Sequence, residues 1–392
     1  MLNHLFMPEV FGGGEQQSLK LSQALIARGV DVQVLTSRSQ KDTLPQEIMD
    51  GVPVTRIWST TQPQRGGRHL PASILWMWKV TRWIRDHRSE IDIVHCHHAK
   101  LNALVGVRAA ASIGAPCVVK LGSAGRNFDF LSLEQKRFFY GRWAAGRIKS
   151  GAAAFVGMSE EMMRDLENYG IERARRIWIP NGVLLRDTSD AQRSEIRDRI
   201  RGELGLSASD RVAVFAGRME LQKNVETLLR AFARVVDGAP DARLLLLGDG
   251  ALMEAHRRLA RELSLADRVI FRGRVPLVPD YLAASDLFVL PALAEGMSNA
   301  VLEAMSEGLP QVVSKVSGNS DLVVEGETGW LFGVPEDVDA LAMCLSNAFA
   351  LPAGRLVDMG RAARKRAEET FSIGSVADRY ISLYTDMTRK AA

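Results

Sequence analysis

The sequence predicts an α/β protein built from two Rossmann-like, doubly wound domains that face one another across a cleft. Three observations carry that expectation. Short β-branched runs alternate with longer amphipathic ones, the mark of βαβ units and parallel sheets. The chain has 392 residues, more than one domain normally holds, and 46% are hydrophobic, enough for two cores. The alternation is interrupted once, at residues 185–209, where the composition turns charged and apolar-poor.

Taken in order, strands are expected at 2–7, 31–36, 52–57, 91–95, 117–120, 153–156 and 176–179, with helices between them such as 16–28 and 101–112. The pattern stops near Pro180-Asn181-Gly182, which closes a first domain at 1–184. Residues 185–209 read as the connection. A second domain, 210–373, follows with strands at 211–216, 243–247, 269–271, 286–290 and 311–314 and helices at 225–236, 252–263 and 300–307. Helices from Pro335 onward close the chain. In such folds ligands bind outside the carboxyl ends of the strands, so the active site is expected in the cleft.

Composition narrows the class. Cys96, Cys117 and Cys344 are far apart and show no CxxC spacing, which fits a reducing cytosol rather than a disulfide framework. No apolar run approaches the roughly 20 residues of a membrane span. The opening stretch lacks a basic leader followed by an apolar block, so a cytoplasmic protein is expected. A net charge of +4 suits an anionic substrate, a membrane surface or nucleic acid alike. No zinc-finger spacing or basic-aromatic RNA motif supports nucleic acid.

Four segments carry chemistry. Gly12-Gly13-Gly14 precedes the first helix and lets backbone approach a ligand at a helix N-terminus. A dinucleotide fingerprint fails here, because Gln17 stands where the third glycine belongs; an ordinary tight turn fits as well. Arg218 and Lys223 bracket a loop after the first strand of the second domain, where two cations suit a diphosphate; two solvated charges are the plain alternative. Gly248-Asp249-Gly250 ends the next strand as a turn whose backbone suits a ribose or base, or is a turn only. The fourth segment, Glu295-Gly296-Met297-Ser298-Asn299 through Glu303, is a loop followed by a helix expected to begin near Met297. Its N-terminal amides favour phosphate. Glu295 and Glu303 lie roughly 9–12 Å apart by helical rise, too far for a carboxylate dyad at one bond. They suit hydroxyls of two different rings.

His95-Cys96-His97-His98 invites a metal reading. Alternation along a strand puts His95 and His97 on one face and Cys96 and His98 on the other, so a four-ligand zinc site is not expected. No metal and no cofactor are expected. Two further stretches, 65–88 with Trp76, Trp78 and Trp83 and 126–149 with Phe138, Phe139 and Tyr140, interleave aromatic and basic residues. An anionic membrane surface and a buried helix with a solvated face both account for them.

The segments FGGGEQQ, IPNGV, AGRMELQKN, LLLLGDG, EGMSNAVLEAMSEGLPQVVS and GETGWLF, in this order along the whole chain, resemble the bacterial family-four retaining glycosyltransferases of the GT-B fold. The resemblance implies a hexosyltransferase that moves a sugar from a nucleotide-diphosphate sugar to a saccharide or lipid-linked saccharide, as in cell-surface polysaccharide, lipopolysaccharide or glycolipid synthesis. It implies a final helix, 374–392, that returns to the first domain. It gives Arg218 and Lys223 the diphosphate, Glu303 the ribose and Glu295 the transferred sugar, with Arg218, Lys223 and Glu295 as the catalytic set. Gly13, Gly14, Gly248, Gly250, Arg272, Gly273, Gly296, Met297, Ser298 and Asn299 complete the donor site. On the acceptor side it points to His97, Gly122 and Ser123. Many members carry a histidine where this chain has Gly122. Within the same fold, a nucleotide-sugar epimerase or hydrolase and a non-catalytic partner subunit are the alternatives.

Overall fold

A computed structural model describes residues 1–9, 12–59, 70–136 and 140–391. The chain divides into two compact units, Met1–Gly182 with Ile373–Ala392, and Val183–Ser372.

Among the described residues the first unit carries seven strands: β1 Val34–Arg38, β2 Gln46–Met49, β3 Val52–Trp58, β4 Val94–His97, β5 Cys117–Lys120, β6 Ala154–Gly157 and β7 Arg176–Trp178. Its helices are α1 Gly13–Ile26, α2 Leu70–Asp86, α3 Leu101–Ala111, α4 Asp129–Glu134, α5 Tyr140–Gly151 and α6 Glu160–Asn168. Strands β4 to β7 form a parallel sheet in sequence order, fully buried along β4, β5 and β6. Continuous burial is what parallel strands covered on both faces require. Beside it, β1 and β3 pair in parallel and β2 joins antiparallel. The β2–β3 hairpin was not expected. Its signal is Asp50-Gly51, a two-residue turn with φ of 48° and 82° that matches strand twist.

The expected strand at 2–7 shrinks to one residue. Leu2 bridges both Leu35 and Cys96, donating to the His95 carbonyl at 2.7 Å and accepting from the His97 amide at 3.2 Å. Phe6 and Met7 then turn into a cluster with Leu19, Val34, Val52 and Val54. An apolar run is equally suited to a core-lining turn. The last helix, Ile373–Ala391, lies in this unit and packs Val376, Ala377 and Tyr380 against Leu21 and Leu25 of α1. Tyr384 closes the contact with its hydroxyl 2.7 Å from His95 Nδ1.

The second unit is a six-stranded parallel sheet in the order β10-β9-β8-β11-β12-β13. Its strands are β8 Arg211–Ala216, β9 Ala242–Leu247, β10 Val269–Gly273, β11 Leu287–Leu290, β12 Gln311–Ser314 and β13 Gly329–Phe332. The order reverses at β8, which gives the doubly wound topology its switch point between β8 and β11. The helices that bear on the site are α7 Asp190–Glu203, α8 Val225–Ala233, α9 Met253–Glu262, α10 Val278–Ala283 and α11 Asn299–Ser306.

Residues 185–209 correct the sequence reading. They are not a free connection but part of this unit, most of them in α7. Ser189 and Gln192 form a reciprocal capping box at its start. The helix binds the unit through arginines. Arg197 reaches the Asp286 carboxylate at 2.6 Å, and Arg201, itself buried, reaches the Ala284 carbonyl at 3.0 Å. An attachment built on guanidinium groups leaves no apolar stripe for periodicity to find. Among the described residues no single helix is long and apolar enough to cross a membrane.

Candidate functional site

In the second unit the carboxyl ends of β8, β9 and β10 lie side by side, and each carries a glycine. The Gly217 amide donates to the Leu247 carbonyl at 3.0 Å and the Gly248 amide to the Gly273 carbonyl at 2.8 Å. Gly248 has a φ of 121°, and a Cβ there would overlap the Gly217 carbonyl. A Cβ at Gly250 would lie 2.6 Å from the Met219 carbonyl oxygen. Only glycine permits this approach of the two loops. Loop-to-loop contact is thus what requires glycine at 248 and 250.

The two cations separate. Arg218 is 62% exposed and donates to Glu220 Oε1 at 2.8 Å. Lys223 turns inward, 17% exposed, and places Nζ 2.5 Å from Glu295 Oε1, whose side chain is 10% exposed. Neighbouring bonds fix this pair. Gln222 donates from Nε2 to the Ala294 carbonyl at 2.7 Å, and its own carbonyl accepts from the Leu293 amide at 2.8 Å. Asn224 adopts the left-handed conformation, φ 54°, and bonds the Pro335 carbonyl at 2.8 Å. Neither Gln222 nor Asn224 was singled out from sequence, since an amide that staples two loops has no spacing signature.

The helix of the fourth segment begins two residues later than expected. Ser298 is its N-cap, buried, with Oγ accepting from the Val301 amide at 3.4 Å. Met297 is buried beside it, so its side chain serves packing and any ligand contact there is through backbone. Gly318, φ 74°, comes so close to Gly296 that a Cβ would overlap its carbonyl, bringing the loop after β12 onto the loop after β11. The turn signal Ser317-Gly318-Asn319 was there to be read. Glu303 is half-buried one to two turns along α11. Arg272 and Arg274 are exposed at the end of β10, Arg272 over the Tyr281 ring at 5.9 Å.

One end of this unit thus gathers a helix N-terminus, an inward ammonium, a carboxylate on a loop and a second carboxylate on the helix. Peptide dipoles and an ammonium suit a diphosphate, and carboxylates suit sugar hydroxyls.

In the first unit α1 opens on Gly12 as N-cap, with Gly13 exposed and Gly14 half-buried. The Glu15 carboxylate folds back so closely that a Cβ at Gly12 would overlap it. Phe11, Phe138, Phe139 and Arg65 lie outside the described residues. Gln17, which breaks the dinucleotide fingerprint, is used structurally. It holds the Gly182 backbone from both sides, at 2.8 Å through Nε2 and 3.1 Å through Oε1.

The histidine run also needs correction. His95 and His97 do share a face and stack at 4.7 Å, but His97 is 4% exposed and so is no ligand-facing group. Burial, reinforced by His95 and Lys120, holds its imidazole well below the ordinary range. Cys96 lies on the opposite face beside Cys117, at 3.8 Å between sulfurs. His98 leaves the strand with φ 71°, so alternation no longer sets its direction. Among the described residues no three His, Cys, Asp or Glu side chains are arranged to hold a metal. Ser123 is half-buried. Lys120, unassigned from sequence, is buried with Nζ 2.8 Å from Asn181 Oδ1, and burial lowers it to about 7.

Comparison with known proteins identifies the family. Residues 12–182 match the family described as Glycosyl transferase 4-like domain, and residues 210–350 match Glycosyl transferases group 1. The chain is 29% identical over 306 residues to UDP-Gal:alpha-D-GlcNAc-diphosphoundecaprenol alpha-1,3-galactosyltransferase of Escherichia coli, covering 76% of each. It is 28% identical over 391 residues to D-inositol 3-phosphate glycosyltransferase of Streptomyces avermitilis, covering 95% of this chain and 83% of the other. Among solved structures it is similar in fold to Anabaena HepE in complex with UDP and glucose, with a TM-score of 0.75 at 21% identity over 98% and 99% of the two chains. The chain therefore belongs to the GT4-type glycosyltransferases of the GT-B fold and is a glycosyltransferase enzyme.

Proposed function

We propose that the chain transfers a hexose from a uridine-diphosphate sugar to a hydroxyl of a lipid-linked saccharide in cell-envelope synthesis, retaining anomeric configuration and using no metal. The observation that carries this reading is the Lys223–Glu295 pair, 2.5 Å apart, on loops stapled by Gln222 at the strand ends of the second unit. Negative charge grows on the departing diphosphate as the sugar gains positive charge. Lys223, Arg218 and the N-terminus of α11 stabilise that growing charge, the work a divalent cation performs elsewhere. Lys223 is held by Glu295 before any phosphate arrives, so it is oriented in advance. Glu295 then addresses the sugar and Glu303 the ribose. The departing phosphate takes the acceptor proton from the same face. A uridine donor and a diphospholipid acceptor are supported by what the Escherichia coli relative is named for.

The test is acceptor-dependent release of UDP from a panel of UDP-glucose, UDP-galactose and UDP-N-acetylglucosamine, run with lipid-diphosphate saccharides. We expect turnover that EDTA leaves unchanged. UDP release that no acceptor accelerates, or an altered sugar with none transferred, would establish the hydrolase or epimerase reading instead.

Peripheral binding to anionic membrane belongs to the same proposal. Helices α2 and α5 both pack on α3. The buried face of α2 is Trp76, Val80 and Ile84, while Ile74, Leu75 and Trp78 are exposed at 56%, 43% and 56%. Arg82 and Arg85 lie exposed on the same helix, Arg82 over the Trp78 ring at 5.6 Å. α5 exposes Trp143 between Arg142 and Arg147. Exposed indoles with arginines fit the headgroup region of an anionic bilayer. Wild type is expected to float with phosphatidylglycerol vesicles at low salt, and Trp78→Glu with Trp143→Glu to lose about tenfold in binding. Wild type that stays with the unbound fraction at low salt removes the membrane from the proposal.

A further inference from the structure

We propose that His98 contacts a carbohydrate hydroxyl of the reacting sugars through Nε2. This rests on the transfer reaction proposed above and adds a residue that neither the motifs nor the family matches assign. The imidazole sits in a slot that two glycines leave open. A Cβ at Gly122 would overlap the ring, and a Cβ at Gly14 would lie 2.7 Å from Nε2. The slot lies between the carboxyl end of β5 and the start of α1, on the ligand-binding side of a parallel sheet.

The backbone holds His98 there with φ 71°, a left-handed conformation that only a few per cent of non-glycine residues adopt, histidine, asparagine and aspartate most often. Such conformations persist where the surroundings over-determine them, and they concentrate at functional sites. Four bonds fix this one. The His98 amide donates to the Lys120 carbonyl at 2.7 Å, and its carbonyl accepts from the Lys100 amide at 2.9 Å. Asp129, 1% exposed, accepts from the Ala99 amide at 2.8 Å and the Gly122 amide at 3.0 Å through one oxygen, tying the ends of β4 and β5 together.

That carboxylate also lies beside the ring. Its Oδ2 lies 4.0 Å from His98 Nδ1, and Asp129 Oδ1 and His98 Nδ1 are both buried without a hydrogen-bond partner. A carboxylate at that distance favours the proton on Nδ1, leaving Nε2 as the acceptor. Burial keeps the imidazole below its ordinary range, against Asp129 and Glu15 and with Lys100 and Lys120, so the ring is neutral near pH 7. The side chain is 32% exposed. A neutral ring with Nε2 toward Gly14 accepts a hydrogen bond from a hydroxyl.

The test is His98→Asn, since asparagine tolerates the left-handed backbone while removing Nε2. With an unchanged melting temperature and unchanged affinity for UDP, kcat/KM for transfer is expected to fall by roughly tenfold or more. A hydroxyl of the transferred sugar makes acceptor-free donor hydrolysis fall with transfer. A hydroxyl of the acceptor leaves hydrolysis unchanged and raises acceptor KM. Transfer within about twofold of wild type overturns the assignment. A wild-type enzyme inactive on the whole panel overturns the transfer reading and this assignment with it. Where His98→Asn melts more than about 5 °C lower, the ring nitrogens of His98 in wild type decide by NMR. A shift at Nε2 on saturation with donor and acceptor supports the contact, and an unmoved resonance overturns it.

Discussion

Lys223→Ala is expected to lower kcat for transfer by about a hundredfold or more, the size of loss that follows removal of a preorganised charge from a developing anion. Of the two cations on this loop the ammonium is the inward one, 17% exposed and 2.5 Å from Glu295. Arg218, by contrast, is 62% exposed and paired with Glu220, so it must swing to reach a diphosphate and its loss is expected to cost less. The lysine variant also leaves Glu295 half-shielded without its partner. The melting temperature reports the cost of the orphaned carboxylate, and kcat at saturating donor reports the loss of the cation. Steady-state kinetics with the competent donor make the measurement, with UDP affinity as the control. Lys223→Ala at more than a tenth of wild-type kcat would show that the lysine does not act on the leaving group.

Glu295 and Lys223 show how far the sequence could be read. Motif order drew attention to both, which the fold brings 2.5 Å apart, and the alternation of β-branched and amphipathic runs placed nearly every strand of the second unit within one or two residues. What could not be read is direction. Lys223 and Arg218 look alike as two cations on one loop, and only the bonds of Gln222 and Asn224 turn one inward. His97 and His98 look alike as neighbours at a strand end. The left-handed turn at His98 buries the first and aims the second at Gly14 and Gly122. The glycine at 122, legible only as a departure from the family pattern, becomes intelligible once the ring beside it is seen. Residues 185–209 failed for a different reason. Their attachment is made by arginines to carboxylates and carbonyls, and hydrophobic periodicity is blind to that.

That arginine attachment carries the second large effect, on stability. Glu307 is 2% exposed at the C-terminal end of α11 and is gripped from two places. Arg186 donates to its two oxygens at 2.7 and 2.9 Å, and Arg193 bonds both its carbonyl, at 2.5 Å, and its carboxylate, at 3.2 Å. Arg186 also pairs with Asp280 at 2.7 Å. Glu307→Gln removes the charge that both guanidinium groups were desolvated to meet. Breaking one side of a buried ion pair costs about 3–5 kcal/mol. Each guanidinium here keeps 28% of its side chain exposed, so the lower end applies, about 3 kcal/mol. For a unit of this size that lowers the melting temperature by about 6–12 °C. The effect is expected to reach the proposed donor site, because the helix anchored here by its C-terminus is the one whose N-terminus and Glu303 are proposed to meet the phosphate and the ribose. The two guanidinium groups also lie where cations favour the helix dipole. Glu307→Gln should therefore weaken UDP binding well below the unfolding transition, although Glu307 touches no ligand in the proposed site. A melting temperature and UDP affinity both equal to wild type would mean that the clamp holds neither the segment nor the helix.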